Sequence, residues 1–588
     1  MTTNWDLSNL LVSDLDETIK ANHAFINKWR NREDFLKDPE VLKQALDEYE
    51  QLEKLYGTTG KTGYYYSLRL CLEQNNPEIK AKYNQLEEKS INISNAIMFF
   101  EHKLARISIG EQKKFLGSQT LKPYHHYLEQ LFALSKYLLS EPEEKIINSL
   151  SPMAYSKWTD MTEEFLAKEQ LTIIDEKGNN VVKTLPEALK AFESSTKKVR
   201  DTAAQETNNV FKKHLDTAVA ELNAILQYKK TIDELKKIER PDLARLISDD
   251  IEANVIDALL QAVTEKYDVA QRFYMLKAKV LGVEKLEYHE RYVKMGNLAK
   301  KYTYEESVGL IRKVFGNLDN EFLDIFNDYI INSRIDVYPK KGKTGGAFCT
   351  HSIPTLPGYI LTNFTGSIED VTTLAHEMGH AIHGDLSAKV QNALNCGHSL
   401  ATAEVASTFM EDFVYKEIEK SIPENNKLYM KMEKLGASIA TIFRQVACYK
   451  FEQELHSEFR KTAYLPGDQI GKIFQKHMKS YMGDYVKQSE GSENWWVYWS
   501  HIRNYFYVYS YASGLLISKA MQNLYQENPA FISKLKEFLR AGDSHSPVEI
   551  FGKLGLDITK PTFWKAGISE IEKELRESEK LFAKIDTK

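Results

Sequence analysis

Apolar residues recur three and four positions apart along most of this 588-residue chain, the spacing of one face of an α-helix. From Pro39 to Tyr56 that face is Val41, Leu42, Ala45, Leu46, Tyr49, Leu52 and Leu55. The pattern runs again from Ile79 to Phe100 and from Tyr124 to Leu139, so long helices with polar outer faces are predicted there. Between Ile174 and Thr184, Lys177-Gly178-Asn179-Asn180 marks a turn joining two brief strands. At Leu185-Pro186-Glu187 the helical pattern restarts as one long stretch toward Lys237. A soft boundary near residue 195 then divides the chain into an N-terminal helical region, 1–195, and a second region, 196–588. There is no fixed-period repeat.

The helical pattern breaks sharply once, between Arg334 and Gly366. Gly342, Gly345, Gly346, Gly358 and Gly366 fall there with Pro339, Pro354 and Pro357, interleaved with the β-type runs Ala347-Phe348-Cys349 and Tyr359-Ile360-Leu361-Thr362. A small sheet is predicted. From Ser367 onward the chain reads as helix again, closing on Ile568 to Lys584, whose Glu/Lys pattern is that of a solvated face.

Composition agrees with a mainly α protein. Only 28 glycines and 15 prolines punctuate the chain, too few for the many turns of an all-β fold, and 43% hydrophobic residues exclude a wholly disordered one. A net charge of −6 leaves no positive surplus for a phosphate backbone or an anionic lipid surface, so neither nucleic acid nor a membrane is an expected partner. No apolar run is long enough to span a bilayer, and Met1 to Leu10 lacks a basic stretch leading into an apolar core; a cytoplasmic location is expected. Cys71, Cys349, Cys396 and Cys448 are widely scattered, which fits free thiols in a reducing compartment.

Candidate chemistry begins at Ser367-Ile368-Glu369-Asp370. A serine hydroxyl there caps free backbone N–H groups, and acids in the first turn suit the positive end of a helix. The helix so predicted carries His376-Glu377-Met378-Gly379-His380. Residues four apart lie about 40° apart around the axis and one turn along it, so both imidazoles reach one ion at about 2.0–2.1 Å. Glu377, turned about 100° from His376, addresses a water beside the ion without being a ligand. His383 stands about 10.5 Å along the axis from His376, too far to share that ion, and is expected to be supporting or structural.

A third ligand has to come from another element. Leu400 to Glu411 is rich in small residues that let helices pack closely, and it offers Glu404, 28 residues beyond His376. Glu411 lies about two turns further on the same face, so only one of the two coordinates easily. Glu404 is the expected ligand, and Glu411 a support for a ligand histidine. Two histidines, a glutamate and one open position make a hydrolytic zinc site rather than a closed structural one, with one ion per chain. Zinc then polarises a scissile carbonyl and acidifies water, while Glu377 takes the water proton and passes it to the leaving amine. The developing oxyanion needs a further donor.

These residues resemble the thimet oligopeptidase-like zinc peptidases, and within them the bacterial oligoendopeptidase F branch. The resemblance is carried by His376 to His383, by Ala403 to Glu411, and by the tyrosine-rich Phe506-Tyr507-Val508-Tyr509-Ser510-Tyr511-Ala512-Ser513-Gly514. It implies a nearly all-helical, two-lobed zincin-type fold with the site at the bottom of a deep channel that admits short peptides. It also implies that a histidine and tyrosines downstream donate hydrogen bonds to the substrate carbonyl, for which His501, Tyr507 and Tyr511 are the candidates, ahead of Tyr505 and Tyr509. Tyr507 and Tyr511 are one helical turn apart, although aromatic runs of this kind are also what a core looks like.

The function expected is a zinc-dependent oligoendopeptidase acting on short, unstructured peptides. A carboxypeptidase or dipeptidyl carboxypeptidase on the same scaffold is the alternative, and it requires a cation for the terminal carboxylate; Arg503 and Lys340 to Lys343 are the residues to inspect, with surface solvation as their plainer reading. A non-catalytic peptide-binding protein is a third reading, weakened because His376, Glu377, His380 and Glu404 are all present. Gly345-Gly346-Ala347-Phe348 is read as an exposed strand edge able to pair with an extended peptide, or else as a structural hairpin.

Overall fold

The computed structural model describes residues 2–11, 13–296 and 300–586. Helices dominate, with one two-stranded and one three-stranded sheet among the described residues. Two compact units are formed, each from three separate stretches. One holds Met1–Lys145, Lys300–Ser421 and Met521–Leu556; the other holds Ile146–Ala299, Ile422–Ala520 and Asp557–Lys588. Residue 195 falls inside a stretch of the second unit, so a division by composition along the chain and a division by packing in space differ.

In the first unit the helix Pro39–Leu55 shows how the pattern is realised. Asp38 caps it by accepting from the Glu40 N–H at 2.9 Å, and Pro39 at the first turn has no N–H to leave unpaired. Leu42, Ala45, Leu46 and Leu52 are buried against Phe25, Trp29, Phe35 and Phe100. Each fully buried leucine there contributes roughly 1.5–3 kcal/mol of burial free energy. The predicted helix from Ile79 is Pro77–Ile97, with a separate short helix at Phe99–Ala105, and the one from Tyr124 is His125–Leu134.

The glycine-rich segment forms the predicted sheet. Taking β1 as Gln170–Ile174 and β2 as Asn180–Thr184, its strands are β3 (Ile335–Asp336), β4 (Phe348–Thr350) and β5 (Tyr359–Leu361), in the order β3-β5-β4. β3 runs parallel to β5 and β4 antiparallel to it, with Cys349 opposite Ile360. The amino-terminal segment backs this sheet: Trp5 Nε1 donates to Ile360 O at 2.7 Å, and the Tyr64 hydroxyl to Thr350 O at 3.0 Å. The loop before β4 is pinned by Lys343, whose ammonium donates to Asp336 Oδ1 at 2.7 Å and to Tyr338 O at 2.8 Å. Both side chains of that ion pair are wholly buried. Lys343 is therefore neither solvated nor free for a peptide carboxylate.

In the second unit β1 and β2 pair as an antiparallel hairpin whose turn is closed by Asp175, which accepts from the Lys177 and Asn179 N–H groups. The stretch toward Lys237 is not one helix. It breaks into Leu185–Lys190, Lys197–Lys213 and Leu215–Leu235, with Ser194-Ser195-Thr196 as the first interruption; serine and threonine bond the backbone locally there, as Thr196 N does to Ser194 Oγ at 3.0 Å. The closing helix is Pro561–Asp586, longer than predicted, and Ile568, Ile571 and Leu575 form its buried face.

Candidate metal centre

The helix Ile368–Val390 begins as its sequence requires. Ser367 Oγ accepts from the Asp370 N–H at 3.1 Å, and Asp370 Oδ2 accepts in return from the Ser367 N–H at 3.0 Å. Behind it packs the helix Leu400–Glu419. The two backbones meet at Gly379, where a Cβ would lie 2.5 Å from Ser407 Cα, so only glycine fits that crossing. Glu404 stands about one turn before Ser407 and Glu411 about one turn after it, which aims both carboxylates at the histidine face.

Glu404 Oε2 lies 3.4 Å from His376 Nε2 and 3.9 Å from His380 Nε2. One ligand atom from each of the three residues falls within 4.8 Å of the others. A tetrahedral ion with bonds of about 2.0–2.1 Å needs donors roughly 3.3 Å apart, so the trio fits a single metal ion with modest closure. Two of the three donors are already in the form a metal takes, while against burial Glu404 and Glu411 raise the His376 imidazole well above its usual value, so metal binding would displace a proton from it. Burial works against ionisation of Glu404, but hydrogen bonding from His376, with the two imidazoles beside it and the Ser407 hydroxyl, brings it down to about 2, so it is a carboxylate. Burial, helped by His376, pushes His380 down to about 3, so it is a neutral imidazole with a lone pair to give. Glu411 Oε2 sits 3.0 Å from His376 Nδ1. That contact holds a proton on Nδ1 and leaves Nε2 turned toward Glu404.

Glu377 is 7% exposed and does not join the trio. Burial pushes its pKa up to about 7, against the opposing pull of His376 and of the Cys349 N–H, which donates to its carboxylate. That hydrogen bond ties the metal helix to β4. Ala347, Phe348, Cys349, His351, His376, Glu377, His380, His398 and Glu404 enclose a cavity of about 420 Å³. β4 is an edge strand of its sheet, and its Phe348 and Cys349 line this cavity together with Ala347. His383 lies elsewhere, buried and stacked on His398 at 4.3 Å between ring centres.

His501, Tyr507 and Tyr511 belong to the second unit, where they form their own cluster. The His501 ring is 5.5 Å from Tyr507 and 5.8 Å from Tyr511, and the two hydroxyls are 3.2 Å apart. The helix begins only at Tyr509, so Tyr507 reaches Tyr511 from the preceding turn rather than along a helix face. Burial pushes His501 down to about 4 and raises the Tyr507 phenol, so the imidazole is neutral and the phenol protonated near pH 7. The other two tyrosines have structural work: Tyr505 donates to Ile225 O at 2.8 Å, and Tyr509, wholly buried, to Asp249 at 2.7 Å. Arg503 is spent on a two-pronged buried ion pair with Glu221, both contacts 2.9 Å.

A second grouping with metal-type donors, Asp201, His289 and Glu290, is already neutralised by Lys197 at 2.7 Å from Asp201 and Arg200 at 2.8 Å from Glu290. Sequence spacing did not mark His351, Asp385 or His398. The first two are 34 residues apart and meet only through the fold, and no local motif signals such a pair.

A helix bearing two histidines one turn apart, with a buried carboxylate beside them and a third donor from the next helix, defines a hydrolytic metal centre of the metallopeptidase class. The chain belongs to peptidase family M3, whose model matches residues 190–570. Residues 103–168 match the model described as Oligopeptidase F. Among its relatives, Oligopeptidase PepF of Bacillus subtilis is 27% identical over 519 residues, covering 86% of this chain and 76% of that protein. An oligoendopeptidase F homolog of Borreliella burgdorferi is 26% identical and covers 98% of both chains. The crystal structure of oligoendopeptidase-F from Enterococcus faecium has the same fold, with a TM-score of 0.72 at 19% identity over 97% of this chain and 98% of that one. No helix among the described residues is long and apolar enough to cross a membrane.

Proposed function

We propose that the chain is a zinc-dependent oligoendopeptidase that hydrolyses internal bonds of short, unstructured peptides in the cytoplasm. The observation that carries this reading is the convergence of His376, His380 and Glu404 on one point with the buried Glu377 beside them. The relatives' names support the substrate class, and the four unpaired cysteines fit a reducing compartment.

His376, His380 and Glu404 hold the ion, and Glu411 keeps the His376 ring in the tautomer that presents Nε2. When bound, zinc supplies Lewis acidity toward the scissile carbonyl and toward water. Glu377 takes the proton of the attacking water as the C–O bond forms and delivers it to the departing nitrogen as the C–N bond breaks. A carboxyl whose pKa is near 7 can do both. The outer edge of β4 holds an extended peptide by main-chain bonds, which gives affinity with little side-chain selectivity. His501, Tyr507 and Tyr511 donate to the oxyanion; their mutual contacts and protonation support that role, as does the resemblance of their segment to the family's.

Burial of Arg503 and Lys343 in ion pairs favours endopeptidase over carboxypeptidase action, because neither cation is free to take a terminal carboxylate. The test is mass spectrometry of products from a peptide pool of graded length, with free and amidated carboxyl termini and with and without a chelator. Internal cleavage that stops with the chelator and ignores amidation is expected. Cleavage abolished by amidation would assign a carboxypeptidase instead.

A further inference from the structure

One side chain of the metal cavity is fixed more tightly than a loop residue needs to be. His351 follows the last residue of β4, and the residue as a whole is exposed, yet its side chain is only 28% exposed. The imidazole lies between two glycines. A Cβ at Gly358 would come 2.5 Å from its Nε2, and one at Gly384 2.5 Å from its Cε1. Nε2 itself stands 3.2 Å from Asp385 Oδ1 and 3.3 Å from the Tyr329 hydroxyl. Asp385 lies on the metal helix itself, so the ring is referenced to the same element as His376 and His380.

In the tautomer that donates from Nε2 to the Asp385 carboxylate, Nδ1 is left as a lone-pair acceptor. Nδ1 has the Cys349 thiol 4.0 Å away, a weak donor at long range, and His351 lines the metal cavity. A peptide N–H is a much better donor than a thiol. Beyond the end of the edge strand, where main-chain pairing with β4 stops, the next N–H of an extended peptide therefore meets an acceptor already oriented for it.

We propose that His351 is a substrate-binding residue of this peptidase: its Nδ1 accepts a hydrogen bond from one peptide N–H and so sets the register of the substrate along β4, with Asp385 and Tyr329 as the residues that position the ring. The proposal rests on the reading of the metal centre given above.

Two replacements separate this role from a structural one. In His351→Gln the side-chain amide reaches the place of Nε2 and preserves the contact to Asp385 while removing the Nδ1 acceptor. In His351→Asn the amide oxygen occupies the place of Nδ1 and the Asp385 contact is lost. The probe is a doubly blocked peptide that the wild type cleaves, together with its singly N-methylated analogues, assayed on the zinc-loaded full chain. His351→Gln is expected to lower kcat/KM by about 3- to 10-fold, the worth of one neutral hydrogen bond, with metal content unchanged, whereas His351→Asn stays closer to the wild type. N-methylation at one position should penalise the wild type and His351→Asn but cost His351→Gln nothing further. The assignment is overturned if Gln rescues and Asn does not, if every N-methyl penalty is the same in all three proteins, or if His351→Gln loses its metal. Failure of the underlying reading shows separately, as a Glu377→Gln enzyme that retains turnover on the same peptide.

Discussion

Between Ser367 and Glu411 the candidate side chains are placed by helix geometry, whereas between Trp495 and Tyr511 the backbone that carries them is held by partners far along the chain. In the first region a cap fixes where the helix starts, the four-residue spacing pairs the histidines, and a glycine crossing brings Glu404 and Glu411 to them. In the second region Tyr505 and Phe506 adopt left-handed backbone with φ of 41° and 62°, a conformation that costs a non-glycine residue about 1–3 kcal/mol. What offsets that cost is a set of buried polar contacts. Arg245 donates to the Asn504 and Tyr505 carbonyls at 3.2 and 3.3 Å, and the wholly buried Glu452 accepts from the Phe506 N–H at 2.8 Å. One region is fixed by local rules; the other is strained and held from outside.

The difference can be pressed experimentally. The largest effect is expected in the first region: Glu377→Gln removes the base without removing a ligand and should lower turnover by about 10²- to 10⁴-fold at unchanged metal content. Turnover near that of the wild type would end the comparison at its stronger side. In the second region Tyr511→Phe deletes one donor and should lower kcat, with little change in KM, by up to about 10²-fold; a pure KM effect would assign the tyrosine to ground-state binding. Back on the metal helices, Glu411→Gln leaves all three ligands in place but weakens the hold on His376 Nδ1, so metal affinity measured by competition with a chelator should fall by about 10- to 100-fold.

The smallest effect concerns stability. Burial pushes Glu452 up to about 8, well above its value in an unfolded chain. A raised pKa means the folded state keeps a proton that the unfolded state releases, so this contribution is fully present below about pH 4.3 and is lost as pH rises through about 8. The melting temperature should therefore fall between pH 6 and pH 9, and Glu452→Gln, which still accepts from the Phe506 N–H, should flatten that dependence. An unchanged slope would remove Glu452 from the account of the strained turn.

The same contrast explains what could be read in advance. Helical periodicity, the capping serine, the metal spacing and the small sheet are all written in neighbouring residues, so the sequence reading and the structure agree at Pro39–Leu55, at Ile368–Val390 and at Phe348–Leu361. The single long helix toward Lys237 is broken twice, first at the three hydroxyl residues Ser194-Ser195-Thr196 and again at His214. Arg503 and Lys343 looked like surface cations because their acids, Glu221 and Asp336, are 282 and 7 residues away and the burial of either pair has no signature in spacing. His351 was invisible for the same reason, since its meaning comes from Asp385, Tyr329 and two glycines brought together only by folding.

The central claim is that His376, His380 and Glu404 hold one metal ion while Glu377 serves the reaction without holding it. Metal content per chain after exhaustive dialysis, measured by elemental mass spectrometry for the wild type, Glu377→Gln and Glu404→Ala, tests it most directly. The account predicts about one zinc ion per chain in the first two and a large loss in the third. A Glu404→Ala protein that keeps its full complement of metal, or a Glu377→Gln protein that loses it, would contradict the account.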